Sequence, residues 1–275
     1  MKIVTSFGPW ACILAILAGG CAHEPPDGQG GPERGGPPPG GPPFLSGPMG
    51  AALPNNADGF IARVTFEIQT PEGRADVLTG DLIGRGGKFV FTPEATGERG
   101  KRLREARISF VWDASAAQGN MLSEALQGSA PLAPGARFTL GESSPAPGQP
   151  GAVKVEGHAC EAQDVTVTGS DGSATSLRVW RAVDLKGLPL QIAMQPDLAK
   201  PVFRLSKIRQ ATPSPEIFLA PESFTKYRGV EAMMNELKMR MQSMKRKPPP
   251  GGPGGPEGEH GPPGGGPNNN PTRSY

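Results

Sequence analysis

Glycine and proline crowd the two ends of this 275-residue chain, and that placement limits where a folded core can form. Residues 22–58 hold 19 glycines or prolines in 37 positions, GGPPPGGPP among them, and residues 248–275 hold 18 in 28. Such stretches bury too little apolar surface to offset the entropy of ordering them and read as tethers. No strict Gly-X-Y period is present, so a collagen helix is not indicated. Nearly all aromatic and β-branched residues fall in 59–228, enough for one domain of ordinary size.

The first residues have the layout of a secretion signal: Lys2, the apolar run Trp10–Ala18, then Gly19 and Gly20 before Cys21. The run is shorter than the about 20 apolar residues a membrane-spanning helix needs. LAGGC resembles the bacterial lipobox, which implies removal of residues 1–20 and acylation of Cys21, in the manner of palmitate-bearing lipoproteins. Ala18 stands where leucine is more usual in that motif. Ala22 in place of aspartate implies, by the same resemblance, outer-membrane sorting with the domain facing the periplasm. Cys12 leaves with the signal and Cys21 carries lipid, so Cys160 remains alone and reads as a small buried side chain.

Within 59–228, Ala62–Gln69 alternates, with Val64, Phe66 and Ile68 on one side and Arg63, Thr65 and Glu67 on the other, as a half-buried strand does. Comparable runs at 75–83, 88–92, 106–112, 153–156, 164–168, 176–182, 190–194 and 202–208 give about nine strands and a mainly antiparallel α+β domain. Asp171-Gly172 marks a hairpin turn, glycine supplying the positive φ. Residues 115–126 repeat Ala117, Met121, Leu122 and Ala125 at helical spacing, which predicts a helix covering the sheet. Residues 141–151, rich in Pro, Gly and Ser, predict a long loop. The clearest helix is 229–247, where Val230, Met233, Met234, Leu237, Met241 and Met244 form one stripe opposite Lys238, Arg240 and Lys245. That stripe suits packing on the domain, pairing with a protein partner, or contact with an anionic membrane.

GHAC at 157–160, Asp171-Gly172, VWRAVDLKGLPLQI, LSKIRQ and PEIFLAPESFTKY together resemble the bacterial outer-membrane lipoprotein-sorting superfamily, the LolA/LolB-like group, over roughly the second half of the domain. The resemblance implies a curved, unclosed antiparallel half-barrel with helices over its mouth and an apolar cavity for acyl chains. It also implies that Pro189 starts a strand and that Phe218, Pro221 and Tyr227 close the domain against the last strand. It carries over no catalytic residue.

The chemistry-bearing residues are sparse. His158 is the one histidine of 59–228, since His23 and His260 lie in the tethers, and no nucleophile-elbow sequence accompanies it. His158 and Cys160 supply at most two metal ligands of the four a structural site needs. Glu67, Asp76 and Asp81 lack the spacing of a catalytic pair or a calcium loop, and GRGGK at 84–88 reads as a turn rather than a phosphate loop. The run Lys245-Arg246-Lys247 suits a helix C-terminus. A net charge of +2 without a concentrated basic face gives no nucleic-acid footprint. The expectation is a non-enzymatic lipoprotein without cofactor or metal. Its half-barrel would bind a lipid or lipoprotein acyl chain along Val64, Phe66, Ile68, Phe110, Trp112 and Trp180. The alternative is an interaction module whose interior is filled by its own side chains, with 229–247 available to a protein partner.

Overall fold

The structure is a computed structural model that describes residues 41–54, 59–69, 75–94, 106–147, 153–195 and 202–245. Residues 1–40 and 248–275, on which the expected signal, Cys21, most of the expected first tether and the expected tail fall, lie outside the described residues. Among the described residues thirteen strands form one sheet: β1 Gly59–Gln69, β2 Ala75–Arg85, β3 Lys88–Pro93, β4 Ile108–Asp113, β5 Gln118–Ser123, β6 Gly128–Pro131, β7 Phe138–Pro145, β8 Val153–Val155, β9 His158–Gly169, β10 Ala174–Ala182, β11 Leu188–Met194, β12 Val202–Ala211 and β13 Thr225–Lys226. Their order is β13-β6-β5-β4-β3-β2-β1-β12-β11-β10-β9-β7, with β8 also on β9, and every pairing but β13 with β6 is antiparallel. All nine expected strands are present. β5, β6, β7 and β13 are additional.

Two expectations are corrected here. Residues 115–126 are not a helix. The Asp113 carboxylate accepts from the backbone N–H groups of Ser115 and Ala116, at 2.9 and 3.1 Å, and fixes a turn there. β5 then runs antiparallel to β4 with Phe110 opposite Met121. Met121 and Leu122, on opposite faces, are both buried, and a strand covered on both faces loses its period of two. Residues 141–145 likewise belong to β7 rather than a loop. They occupy an exposed sheet edge, where polar residues, a bulge between Leu140 and Ser143 and a terminal proline limit pairing with other strands. The GRGGK turn is as read: Gly86 and Gly87 both have positive φ between β2 and β3, the primed geometry a two-residue hairpin requires.

The sheet must curl. β6 and β7 stand ten strand spacings apart in the order, roughly 48 Å in a flat sheet. The connection between them, residues 132–137, reaches at most about 25 Å. It leans on the turn between β4 and β5, with Leu132 and Gly135 donating to the carbonyls of Gly119 and Ala117. A side chain at Gly135 would meet the Trp112 ring at 2.8 Å, so glycine lets the connection close over that indole. The result is an unclosed half-barrel.

The connection from β12 to β13 runs the opposite way, over the outer face. Arg85 Nη1 donates to the Pro213 carbonyl at 2.7 Å, and the 3-10 turn Pro215–Phe218 lies beside β3 with Phe218 buried. Tyr227 packs by Gly128 of β6 and its N–H donates to the Ser129 carbonyl. Closure by Phe218 and Tyr227 is therefore against β3 and β6, not against the last long strand, because the chain crosses the sheet before it ends.

On the outer face Asp164 binds Arg178 through two bonds of 2.7 and 2.9 Å and accepts from Gln195 at 2.6 Å. These bonds, Arg178 foremost, hold the Asp164 carboxyl below the usual range. The ionised form is favoured by folding, so the stabilisation is complete above the ordinary carboxylate pKa of about 4 and is lost as pH falls through the lower folded value. Asp164→Asn is expected to cost about 0.5–1 kcal/mol at pH 7, the pair being partly solvent-screened. The difference from wild type should shrink and vanish as the pH falls through that lowered folded value. Urea melts across that range test it, and a constant difference would show that the charge is not the cause.

Candidate functional site: the occupied interior

The concave face is lined by alternate residues of each strand: Phe60, Ala62, Val64 and Phe66 of β1, Leu82 of β2, Phe89 and Phe91 of β3, Phe203 and Leu205 of β12, Leu177 and Val179 of β10. Of the expected cavity residues, Val64, Phe66 and Trp112 are buried here, and Phe110 is half-buried beside Phe91, ring centroids 6.4 Å apart. Ile68 lies in β1, and its side chain is outside the described residues. Trp180 is buried, but it pairs with Ala162 and Gln191 and by alternation belongs to the other face of β10 from Val179. Of the six, Val64, Phe66, Phe110 and Trp112 are the described side chains on the concave face.

Residues 41–53, expected within a tether that reached residue 58, fill the interior instead. Two short helices, α1 Pro43–Ser46 and α2 Pro48–Ala51, place Phe44 at 0% exposure and bury Leu45, Met49 and Leu53. The Phe44 ring is 5.5 Å from Phe66, 5.0 Å from Phe91 and 5.4 Å from Phe203, edge-on to Phe91. Edge-to-face and tilted contacts at such distances add to the area the ring buries. Gly41 passes between Trp112 and Leu132, a side chain there meeting each at 3.1–3.2 Å. α2 touches β7 and β9 at the far side of the curl.

The segment satisfies its own backbone. Leu45 and Ser46 donate to the Pro42 carbonyl, Gly47 to Pro43, Gly50 to Gly47, Ala52 to Met49 and Leu53 to Gly50. The Ser46 hydroxyl lies 3.2 Å from the carbonyl oxygens of both Gly41 and Pro42. Prolines at the first position of each helix forgo an N–H that would have had no partner. Among the described residues these bonds are all internal, and side-chain packing holds the segment to the sheet. The sequence did contain a signal: Phe44, Leu45, Met49 and Leu53 are the only large apolar residues between 22 and 58.

A space lies open at the end of the interior segment. A cleft of about 240 Å³ is bordered by Pro54, Phe60, Leu185, Leu188, Gln210 and Thr212, below the roughly 300–1,000 Å³ of small-molecule sites. α3, Val230–Lys245, seats Val230, Met233 and Leu237 in the core with Met234 and Met241 packed beside them and touches β6, so these members of its stripe pack internally, while the Met244 side chain is outside the described residues. The helix is described as far as Lys245; Arg246 and Lys247 lie outside the described residues.

His158 Nδ1 meets Asp184 Oδ2 at 2.7 Å, and that bond keeps the Asp184 carboxyl below its ordinary range. Cys160 is fully buried, its thiol 3.6 Å from the backbone carbonyl of His158, and burial pushes the thiol pKa up. An activated cysteine needs the opposite environment. Cys160 is therefore expected to resist a thiol reagent at pH 7.5 in the folded chain and to react stoichiometrically in urea; rapid labelling when folded would show an accessible thiolate. Glu67 pairs with Arg204 at 2.8 Å and Asp81 with Arg63 at 3.9 Å, while the Asp76 side chain is outside the described residues. Among the described residues no three of His, Cys, Asp or Glu gather as a metal set, and no helix is long and apolar enough to cross a membrane.

No family model matches the chain, and no curated protein does. Among solved structures, it is similar to PNGF-II at 11% identity and TM-score 0.35, covering 67% of this chain and 33% of that one, so it spans about a third of that protein's length. It is similar to a LolA superfamily protein from Nitrosomonas europaea at 13% identity and TM-score 0.34, covering 59% of this chain and 90% of that one. A third likeness, to an outer membrane lipoprotein-sorting protein domain from Vibrio parahaemolyticus, has 10% identity and TM-score 0.32, with 61% and 92% covered. These are distant likenesses, and the half-barrel stands on its own strand register.

Proposed function

We propose that this chain is a lipid-anchored, non-enzymatic protein of the bacterial envelope, held at the outer membrane and facing the periplasm, whose half-barrel is an interaction module with a self-filled interior. The observation that carries the reading is Phe44, wholly buried among three rings where a carrier would keep space for its ligand. The anchor is supported by the apolar run and small residues ahead of Cys21. Expressed in a Gram-negative host with an alkyne-tagged fatty acid, the wild type is expected to label and fractionate with membranes. Cys21→Ala should lose the label and become soluble; a labelled Cys21→Ala chain would remove the anchor.

A second reading, carriage of a lipid or lipoprotein acyl chain, is favoured by one observation: the interior segment makes no ladder bond to the sheet among the described residues, so an apolar ligand could compete for its place. Native mass spectrometry of the gently extracted protein separates the two. Bound lipid at one equivalent establishes carriage, and a lipid-free chain that also ignores added fatty acid establishes the self-filled module.

A further inference from the structure

The interior segment has the properties of a bound ligand rather than of a sheet element. Its apolar side chains enter from Gly41, between Trp112 and Leu132, and the chain leaves at Pro54 beside the cleft. Among the described residues its backbone bonds are internal, so removing it breaks no strand ladder among them. Its specificity is concentrated: Phe44 fills the space between Phe66, Phe91 and Phe203, and Leu45, Met49 and Leu53 are anchors in short turns framed by proline and glycine. Proline and glycine turns with satisfied backbones enter an apolar groove without stranding polar groups there. Four residues, 55–58, link Leu53-Pro54 to β1.

We infer that the concave face is a peptide site whose ligand class is a proline- and glycine-framed segment with a Phe-Leu anchor, and that the 41–54 segment of a second copy of this chain occupies it in exchange for the chain's own. The link between cis segment and site sets an effective concentration in the millimolar range for so short a connection, so the intact chain fills its own site and exchange follows when the link is cut or the chains are crowded. Swapping of an element between identical chains needs no new interface, because the contacts made in trans are those already made in cis. The inference rests on the self-filled reading and is independent of the lipid anchor.

The test uses the full chain with a protease recognition sequence inserted between Asn55 and Asp58. After cleavage, the N-terminal piece is expected to co-elute with the rest at micromolar concentration. A fluorescent peptide of residues 41–54, added in excess, should then displace it and saturate at one equivalent by anisotropy. The same peptide with Phe44→Ala should bind at least about 100-fold more weakly, the equivalent of about 3 kcal/mol for an emptied ring site. Three results overturn the inference: loss of near-UV circular dichroism on nicking, which makes the segment an inseparable core element; no exchange of the peptide over days; or equal binding of the alanine peptide. Bound lipid in the uncut protein would overturn the self-filled reading instead, so the two failures are distinguishable.

Discussion

Phe44→Ala is expected to destabilise the folded chain by about 3–5 kcal/mol, the usual cost of emptying a buried phenylalanine site. In a domain of this size that corresponds to a fall of roughly 10 °C in Tm. The reason is geometric. The ring is in contact range of Phe66 on β1, Phe91 on β3 and Phe203 on β12, strands that span four positions of the sheet order. It therefore closes the floor of the half-barrel, and those three rings cannot move together to fill the void. An exposed apolar side chain is the control: Leu219, 59% exposed in the crossing over the outer face, should change stability by no more than about 0.5 kcal/mol when replaced by alanine. Urea melts of both variants decide it. Equal, small effects would mean that residues 41–53 are a loosely held cover.

The same variant bears on function. If the interior can take an apolar ligand, Phe44→Ala opens a space for one, and a fatty acid should bind the variant while the wild type stays empty. That pattern separates a self-filled module from a carrier, because a carrier binds in the wild type as well.

Strand existence was legible wherever one face met the core and the other met water. β1 reads as Val64 and Phe66 against Arg63, Thr65 and Glu67, and its pairing with β2 and β12 follows that alternation. Three of the features that were not legible have three separate reasons. β5 is covered on both faces, Met121 inside and Leu122 outside, so its apolar residues fell at a spacing a helix shares. β7 is an exposed edge, where a core-facing period is not required. The interior segment was hidden by composition: four anchors among 19 glycines and prolines look like a tether by average, although each anchor is nearly or wholly buried. Val64, Phe66 and Trp112 of the expected cavity residues are buried on the concave face. What periodicity could not supply was that the chain upstream of the first strand returns to occupy the space they line.

Truncation of the chain after Gly229 is expected to prevent stable folding. Val230, Met233 and Leu237 are buried against the core, Met233 at 1% exposure, with Met234 and Met241 packed beside them. Burial of three such side chains contributes roughly 5–9 kcal/mol at about 1.5–3 kcal/mol each, comparable with the whole stability of a typical domain, about 5–15 kcal/mol. The helix touches β6, a four-residue strand whose other neighbour besides β5 is the two-residue β13, so this end of the sheet has little ladder of its own. The stripe at i, i+3 and i+7 thus belongs to the fold, and a partner or membrane seeking α3 meets Lys238, Met239 and Arg240 on its exposed side. Met233→Asp is the point test, since it keeps the chain length and places a charge where none can be solvated; it should fail to give a cooperative thermal transition. Arg240→Ala, which removes an exposed pair with Glu236, should melt within about 0.5 kcal/mol of wild type. A truncated chain that stays soluble with native near-UV circular dichroism would instead make α3 a free arm, and its methionines would again be available to a partner.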